Sequence, residues 1–327
     1  MEMNEERTKL IGEKKELFRN NLDWEQNLVE GVSMIKHGEY YYALYAAAGC
    51  CGAGCTYVVG VARAKKLLGP WEKDVKNPVL TSSEEWICPG HGTAIEKDGK
   101  FYFLHHAYDK KTNIFTGRQG ILSEFRFTPD GWVEFVNTPV AVAKPSPLQD
   151  NFKGHNLALG WEWSVFENIK YKLKRGNLQL NALPVAAGSF IGQKILTGDY
   201  NATVTVKTKK TDAVAGLAAI GDDKNVLSIL FNKDTIKLVA LKNGIDSTIA
   251  LNSIKAKKKI YLKMQVTGGR YFTYSYSTNG NDYTVLNEKP VDGIFLPPWD
   301  RRVRAGLISK GYPDQKAFFD AFEMISD

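Results

Sequence analysis

In the first half of the chain, apolar and polar positions alternate over short runs broken by glycine turns, which is the pattern of half-buried strands. The clearest run is Leu28-Val29-Glu30-Gly31-Val32-Ser33-Met34-Ile35-Lys36, followed by a turn at Gly38 and an aromatic strand, Tyr40-Tyr41-Tyr42-Ala43-Leu44-Tyr45-Ala46. The pattern returns at His91-Gly92-Thr93-Ala94-Ile95 and Phe101-Tyr102-Phe103. A constant offset of 61 aligns Gly31 with Gly92, Met34 with Ile95, Gly38 with Gly99, Tyr41 with Tyr102 and Trp71 with Trp132. Each copy predicts about four short strands, at 32–36, 39–47, 56–64 and 70–73 in the first. Four-stranded units repeated at this period suggest β-propeller blades. The first strand of a blade lines the propeller axis, so the offset places Glu30 and His91 at matching inner positions facing one pocket.

Residues 1–16 carry alternating charge without apolar periodicity and read as a frayed helix or an arriving loop. Two prolines in Lys144-Pro145-Ser146-Pro147 predict a stiff linker, dividing the chain into domains 1–147 and 148–327. Beyond it, short alternating segments at 201–206, 226–231, 236–241 and 271–276 are separated by Asn-Gly and Asp-Gly turns at 243–244, 279–280 and 292–293. Tight hairpins with hardly any helical period argue an antiparallel sandwich or jelly roll. Asp150-Asn151-Phe152 and 318–322 read as its paired first and last strands. The expected fold class is therefore all-β: a partial propeller of about two blades, then a β-sandwich.

Composition narrows the function. The 43% hydrophobic content of 327 residues is enough for two cores. The net charge of +7 does not indicate nucleic acid, because the lysines are scattered over strands and not gathered with stacking aromatics. The dense run 255–263 reads as the solvated face of an edge strand. No apolar run reaches eighteen residues, which argues against a membrane partner, and Met1-Glu2-Met3-Asn4-Glu5-Glu6-Arg7 is too polar for an export signal. Cys50, Cys51, Cys55 and Cys88 lack the paired Cys-x-x-Cys spacing of a zinc site. They read as small buried residues or as one disulfide of undetermined pairing.

Glutamate is depleted from buried strands unless it has a partner or a task, so Glu30 is the candidate chemical group. The surrounding residues resemble glycoside hydrolase family 43, five-bladed propeller glycosidases acting on arabinose- and xylose-containing plant polysaccharides. The resemblance is carried by Val29-Glu30-Gly31, Tyr40 to Tyr45, Cys50-Cys51-Gly52, Val59-Gly60-Val61-Ala62-Arg63, Gly69-Pro70-Trp71, Pro89-Gly90-His91-Gly92, His105-His106-Ala107-Tyr108 and Gly117-Arg118-Gln119. It covers roughly 20–145. The second domain looks like the concanavalin-like sandwich that follows the propeller in many members.

The resemblance implies an inverting O-glycosidase of arabinofuranosidase or β-xylosidase kind, acting on oligo- or polysaccharide. It makes Glu30 the general acid, puts His91 at the axis beside the sugar and a calcium ion, and sends Arg118 to the substrate. His105 and His106 alternate sides of one strand and are expected to be structural. The family's usual proline after Glu-Gly is Val32 here. Its general base belongs to earlier blades, and none of Asp23, Asp74 or Asp109 is placed to replace it. The chain is therefore expected to lack an N-terminal propeller half, as a fragment or the product of an interrupted reading frame, with little activity alone. Relatives of this kind are periplasmic or extracellular. A second hypothesis is a carbohydrate-binding protein using the sandwich, through Trp161, Trp163 or Trp299.

Overall fold

A computed structural model describes residues 1–136, 146–255, 257–297 and 302–326, except for the side chain of Asn113. The chain divides into two compact units, Met1–Lys110 with Arg118–Ala141, and Lys111–Gly117 with Val142–Asp327. Lys144 and Pro145 of the expected linker lie outside the described residues, as does Trp299.

The first unit opens with a small exposed hairpin, β1 (Glu2–Met3) and β2 (Leu10–Ile11), where a frayed helix or loop was expected. The Asn4 side chain accounts for it: its Oδ1 accepts the N–H groups of Thr8 and Lys9 and closes the turn. Two four-stranded antiparallel sheets follow. The first contains β3 (Val29–His37), β4 (Tyr40–Ala47), β5 (Val58–Ala64) and β6 (Glu72–Lys73). The second contains β7 (Trp86–Lys97), β8 (Lys100–Asp109), β9 (Gln119–Phe127) and β10 (Val133–Phe135). Their first strands are neighbours, the Ala94 N–H donating to Ser33 Oγ at 2.9 Å. Between the sheets Tyr42, Leu44, Val59 and Val61 pack against Phe103 and Phe125. The tyrosine run of β4 therefore serves packing, and the Tyr42 hydroxyl is bonded to the Gly131 carbonyl at 2.7 Å.

Strand pairing corrects the repeat register. Ser33 opposite Leu44 is answered by Thr93 opposite Leu104, and Glu30 opposite Ala46 by Gly90 opposite His106, a spacing of 60 through the first hairpin. Only the third strand keeps 61, Val58 opposite Ala47 being answered by Gln119 opposite Ala107. The matching glycines misled, because Gly38 is the first residue of its turn, whereas Gly99 follows Asp98 and is the second. The residue equivalent to His91 is Gly31, and the residue equivalent to Glu30 is Gly90.

The same register exposes an asymmetry. Leu44 and Val61, both 0% exposed, lie beneath the second sheet, while their equivalents Leu104 and Leu122 are 55% and 57% exposed and lie beside Ile95 at 56%. On the other side of the first sheet, Phe18, Trp24 and Trp71 pack on Tyr45. There the fully buried Glu25 is held by Lys73 at 2.6 Å and by the Tyr45 hydroxyl at 2.7 Å.

The second unit is a two-sheet antiparallel sandwich. One sheet pairs, in order, Tyr171–Leu173, Leu178–Asn181, Lys316–Ser326, Tyr200–Val206, Ile260–Thr267, Tyr271–Ser277 and Thr284–Val285. The other pairs Trp161–Glu162, Ser189–Lys194, Arg304–Lys310, Val214–Asp222, Asn225–Asn232, Thr235–Lys242 and Ile245–Ser253. Alternate residues of both sheets fill one apolar core. The opening strand Leu148–Asp150 pairs with the closing strand, Asp150 opposite Phe322, as the sequence suggests.

Candidate active site

Glu30 is aimed by a β-bulge. Its strand pairs Glu30 with Ala46 and next Ser33 with Leu44, so Gly31 and Val32 together oppose Tyr45. Gly31 takes φ +59°, a left-handed conformation natural to glycine. The second sheet repeats the device: His91 and Gly92 oppose His105, and His91 takes φ +44°. A non-glycine residue in that region is strained, a feature that concentrates at functional sites. The two bulges touch, since a Cβ on Gly31 would lie 2.8 Å from His91 Cγ.

Large and small residues then interlock. Tyr57, immediately before β5, is almost fully buried, and its hydroxyl donates to Glu30 Oε1 at 2.6 Å. Its ring occupies the place left by the missing side chain of Gly90, where a Cβ would stand 2.1 Å from Tyr57 Cδ1. The same ring stacks on His106, the cross-strand partner of Gly90, with centroids 5.7 Å apart and planes at 10°. His106 Nε2 lies 3.1 Å from Arg118 Nη1. Arginine can only donate, so Nε2 accepts and the neutral ring carries its proton on Nδ1. That Nδ1 is buried without a partner among the described residues. Two disulfides frame the site, where at most one was expected. Cys50 is joined to Cys51, and Cys55 to Cys88, the latter two residues before Tyr57 and two before Gly90.

Electrostatics follow the packing. Burial, together with the Glu30 carboxylate, drives the Tyr57 phenol well above its usual range, so it remains a donor. Burial and the Arg118 charge, with His105 and His91 adding, push His106 down to about 4. The folded ring thus refuses a proton that the unfolded ring accepts near its ordinary value of 6.5. Stability should therefore fall as the pH drops from about 6.5 to about 4, by about 1–2 kcal/mol once solvent screening of a partly exposed ring is allowed for. Histidine proton resonances followed against pH test this: the His106 midpoint should rise in Arg118→Gln. An unchanged midpoint would show that the guanidinium does not act on the ring.

Glu30, His91 and Arg118 are thus brought into one neighbourhood, and sequence reasoning missed Tyr57 and His106. His106 was expected to be structural, yet it stacks on Tyr57 beside Arg118. His105 is the buried structural one, bonded to Ser123 Oγ at 2.9 Å. The missed signal was in the repeat itself, since Tyr57 and Arg118 are 61 residues apart, each just before the third strand of its sheet. Asp23 is exposed in a short turn of helix, and Asp74 lies past the outer strand β6, its Oδ1 accepting the Lys76 N–H. Among the described residues, no three His, Cys, Asp or Glu side chains cluster as a metal site. Calcium takes six to eight oxygens. One imidazole does not make such a site, so these residues do not fit the ion and no step below uses it.

Two blade-like four-stranded sheets with a bulged carboxylate at their junction, followed in the chain by a two-sheet sandwich, define a propeller-type β protein with an appended sandwich domain. Residues 1–133 match glycosyl hydrolases family 43, and residues 149–296 match the β-xylosidase C-terminal concanavalin A-like domain. The first of these regions is a glycoside hydrolase family 43 segment, and the second is the sandwich domain that accompanies it in β-xylosidases. It is similar to a xylan 1,3-β-xylosidase from a Vibrio species, 28% identical over 189 residues, covering 48% of this chain and 34% of that protein. It is also similar to the extracellular exo-α-(1→5)-L-arabinofuranosidase ArbA of Cellvibrio japonicus, 33% identical over 95 residues, covering 26% of this chain and 27% of that one. The chain therefore spans about a third or less of these curated relatives. Its fold matches the solved BlXynB protein of Bacillus licheniformis, with TM-score 0.82 and 22% identity, over 99% of this chain and 70% of that one.

Proposed function

We propose that this chain carries the leaving-group half of a glycosidase site that releases xylose or arabinose from plant polysaccharides by inversion. The observation supporting it is the Glu30 carboxyl on its bulge, with one oxygen held by the Tyr57 hydroxyl at 2.6 Å. That grip on Oε1 leaves Oε2 to carry the proton to the departing glycosidic oxygen, the work of a general acid. Arg118 supplies a donor for sugar hydroxyls, and His106, stacked on Tyr57, accepts from it at 3.1 Å. His91, on the neighbouring bulge, borders the same space.

Inversion also needs a carboxylate about 6.5–9.5 Å away to activate water. Further propeller blades supply it in this reading, and they cover the exposed face of Ile95, Leu104 and Leu122, as the second sheet covers Leu44 and Val61. The two disulfides favour an oxidising, extracellular or periplasmic setting.

The test uses aryl β-xylosides and α-arabinofuranosides with two leaving groups. The 327-residue chain is expected to turn over slowly, and Glu30→Gln should abolish release of phenol while sparing 2,4-dinitrophenol, whose departure needs no proton. Equal rates for both aglycones in wild type and variant would remove Glu30 from the acid role. Turnover as fast as that of the longer relatives would remove the need for further blades.

A further inference from the structure

We infer that the sandwich unit carries a carbohydrate-binding groove of its own, centred on Trp163 and independent of the Glu30 site. The groove holds about 460 Å³ and is bordered by Trp163, Phe166, Phe190, Asp223, Lys224 and Arg304. Trp163 is 44% and Phe166 81% exposed, which is unusual for such large rings in one loop. They are held on display. Ser164 between them is buried, its hydroxyl donating to Asp223 Oδ2 at 3.1 Å and accepting the Phe166 N–H at 3.3 Å. Trp163 is backed by Tyr171, with ring centroids 6.1 Å apart, and Phe190 is buried. Arg304 is steadied by Glu162, the neighbour of Trp163.

The mixture of groups selects the ligand. A protein partner would favour an apolar centre with charges confined to the rim. Here a carboxylate, an ammonium and a guanidinium line the groove together with the rings. A pyranose or furanose offers the complement: a C–H face for an aromatic plane and a ring of hydroxyls for planar, charged hydrogen-bonding groups. Trp161–Glu162 is also an edge strand, so a polymer could run past the groove without ending there. Only the choice of sugar, xylose or arabinose units, rests on the catalytic reading.

Titration of the full chain with xylohexaose and arabinohexaose, by calorimetry and tryptophan fluorescence, decides the matter. One of the two should bind and quench fluorescence. Trp163→Ala should weaken binding at least about tenfold, with Trp163→Phe restoring most of it, since the stacking face is what counts. Glu30→Gln should leave this binding unchanged. The proposal fails if neither hexasaccharide binds at about 10 mM, or if Trp163→Ala binds like wild type. It fails equally if Trp163→Ala abolishes self-association of the chain instead, which would assign the patch to a protein contact. Binding lost in Glu30→Gln but not in Trp163→Ala would overturn the groove and leave the catalytic reading standing.

Discussion

Alanine at position 90 is expected to cost the first unit about 3 kcal/mol and to dislodge Tyr57 from Glu30. The added Cβ would stand 2.1 Å from Cδ1 and 2.2 Å from Cε1 of Tyr57, distances that no packed interior tolerates. The ring has nowhere to retreat, being almost fully buried, stacked on His106 and tied through its hydroxyl to Glu30. Overpacking of this kind typically costs 1–3 kcal/mol, and the upper end applies because a hydrogen bond to a charged acceptor is lost with it. A double-mutant cycle isolates the cause. Gly90→Ala should be nearly neutral in a Tyr57→Ala background, since the clash partner is gone. Urea denaturation of the four proteins reads the result, and a full penalty persisting in Tyr57→Ala would show that the missing side chain at 90 serves something other than the tyrosine.

That coupling explains what the sequence could and could not disclose. The strands were legible because period-two alternation and glycine turns report burial directly, and Glu30 stood out as a charge in a strand that packing does not explain. Its neighbours were hidden because their roles depend on register. A repeat aligned on identical glycines comes out at 61, whereas the hydrogen bonds of the first hairpin run at 60. That single step turns Gly90 from a spacer into the counterpart of Glu30. It also exchanges the faces of β8, since strand neighbours alternate sides, so the choice between His105 and His106 could not be made from sequence. Tyr57 looked like the start of an apolar strand because its task, an oxygen 2.6 Å away, is supplied by a residue 27 positions earlier. The cysteine pairing was hidden for the same reason, as it links the entry to the third strand of one sheet with the first strand of the next.

Removing the Cys55–Cys88 bridge is expected to lower the stability of the first unit by about 3–4 kcal/mol, the chain-entropy value for cross-linking residues a few tens apart. The bonded cysteines are separated by 33 positions. Cys50–Cys51 joins adjacent residues and closes no such loop, so Cys50→Ser/Cys51→Ser should cost far less and serves as the control. A chain of two units need not unfold in one step, so the loss is best read by amide exchange in β4 and β8 of Cys55→Ser/Cys88→Ser, or of the wild type under reducing conditions. The effect should reach the site as well. Each cysteine precedes a partner in the Tyr57–Gly90 contact by two residues, so the bridge fixes the tyrosine against the strand that carries His91. Without it, Tyr57 keeps its bond to Glu30 only while that loop happens to be closed, and activity should then fall in parallel with protection of β4. Equal exchange rates in the oxidised and reduced protein would mean that packing alone holds the two sheets, and that the bridge adds nothing to the geometry of the acid.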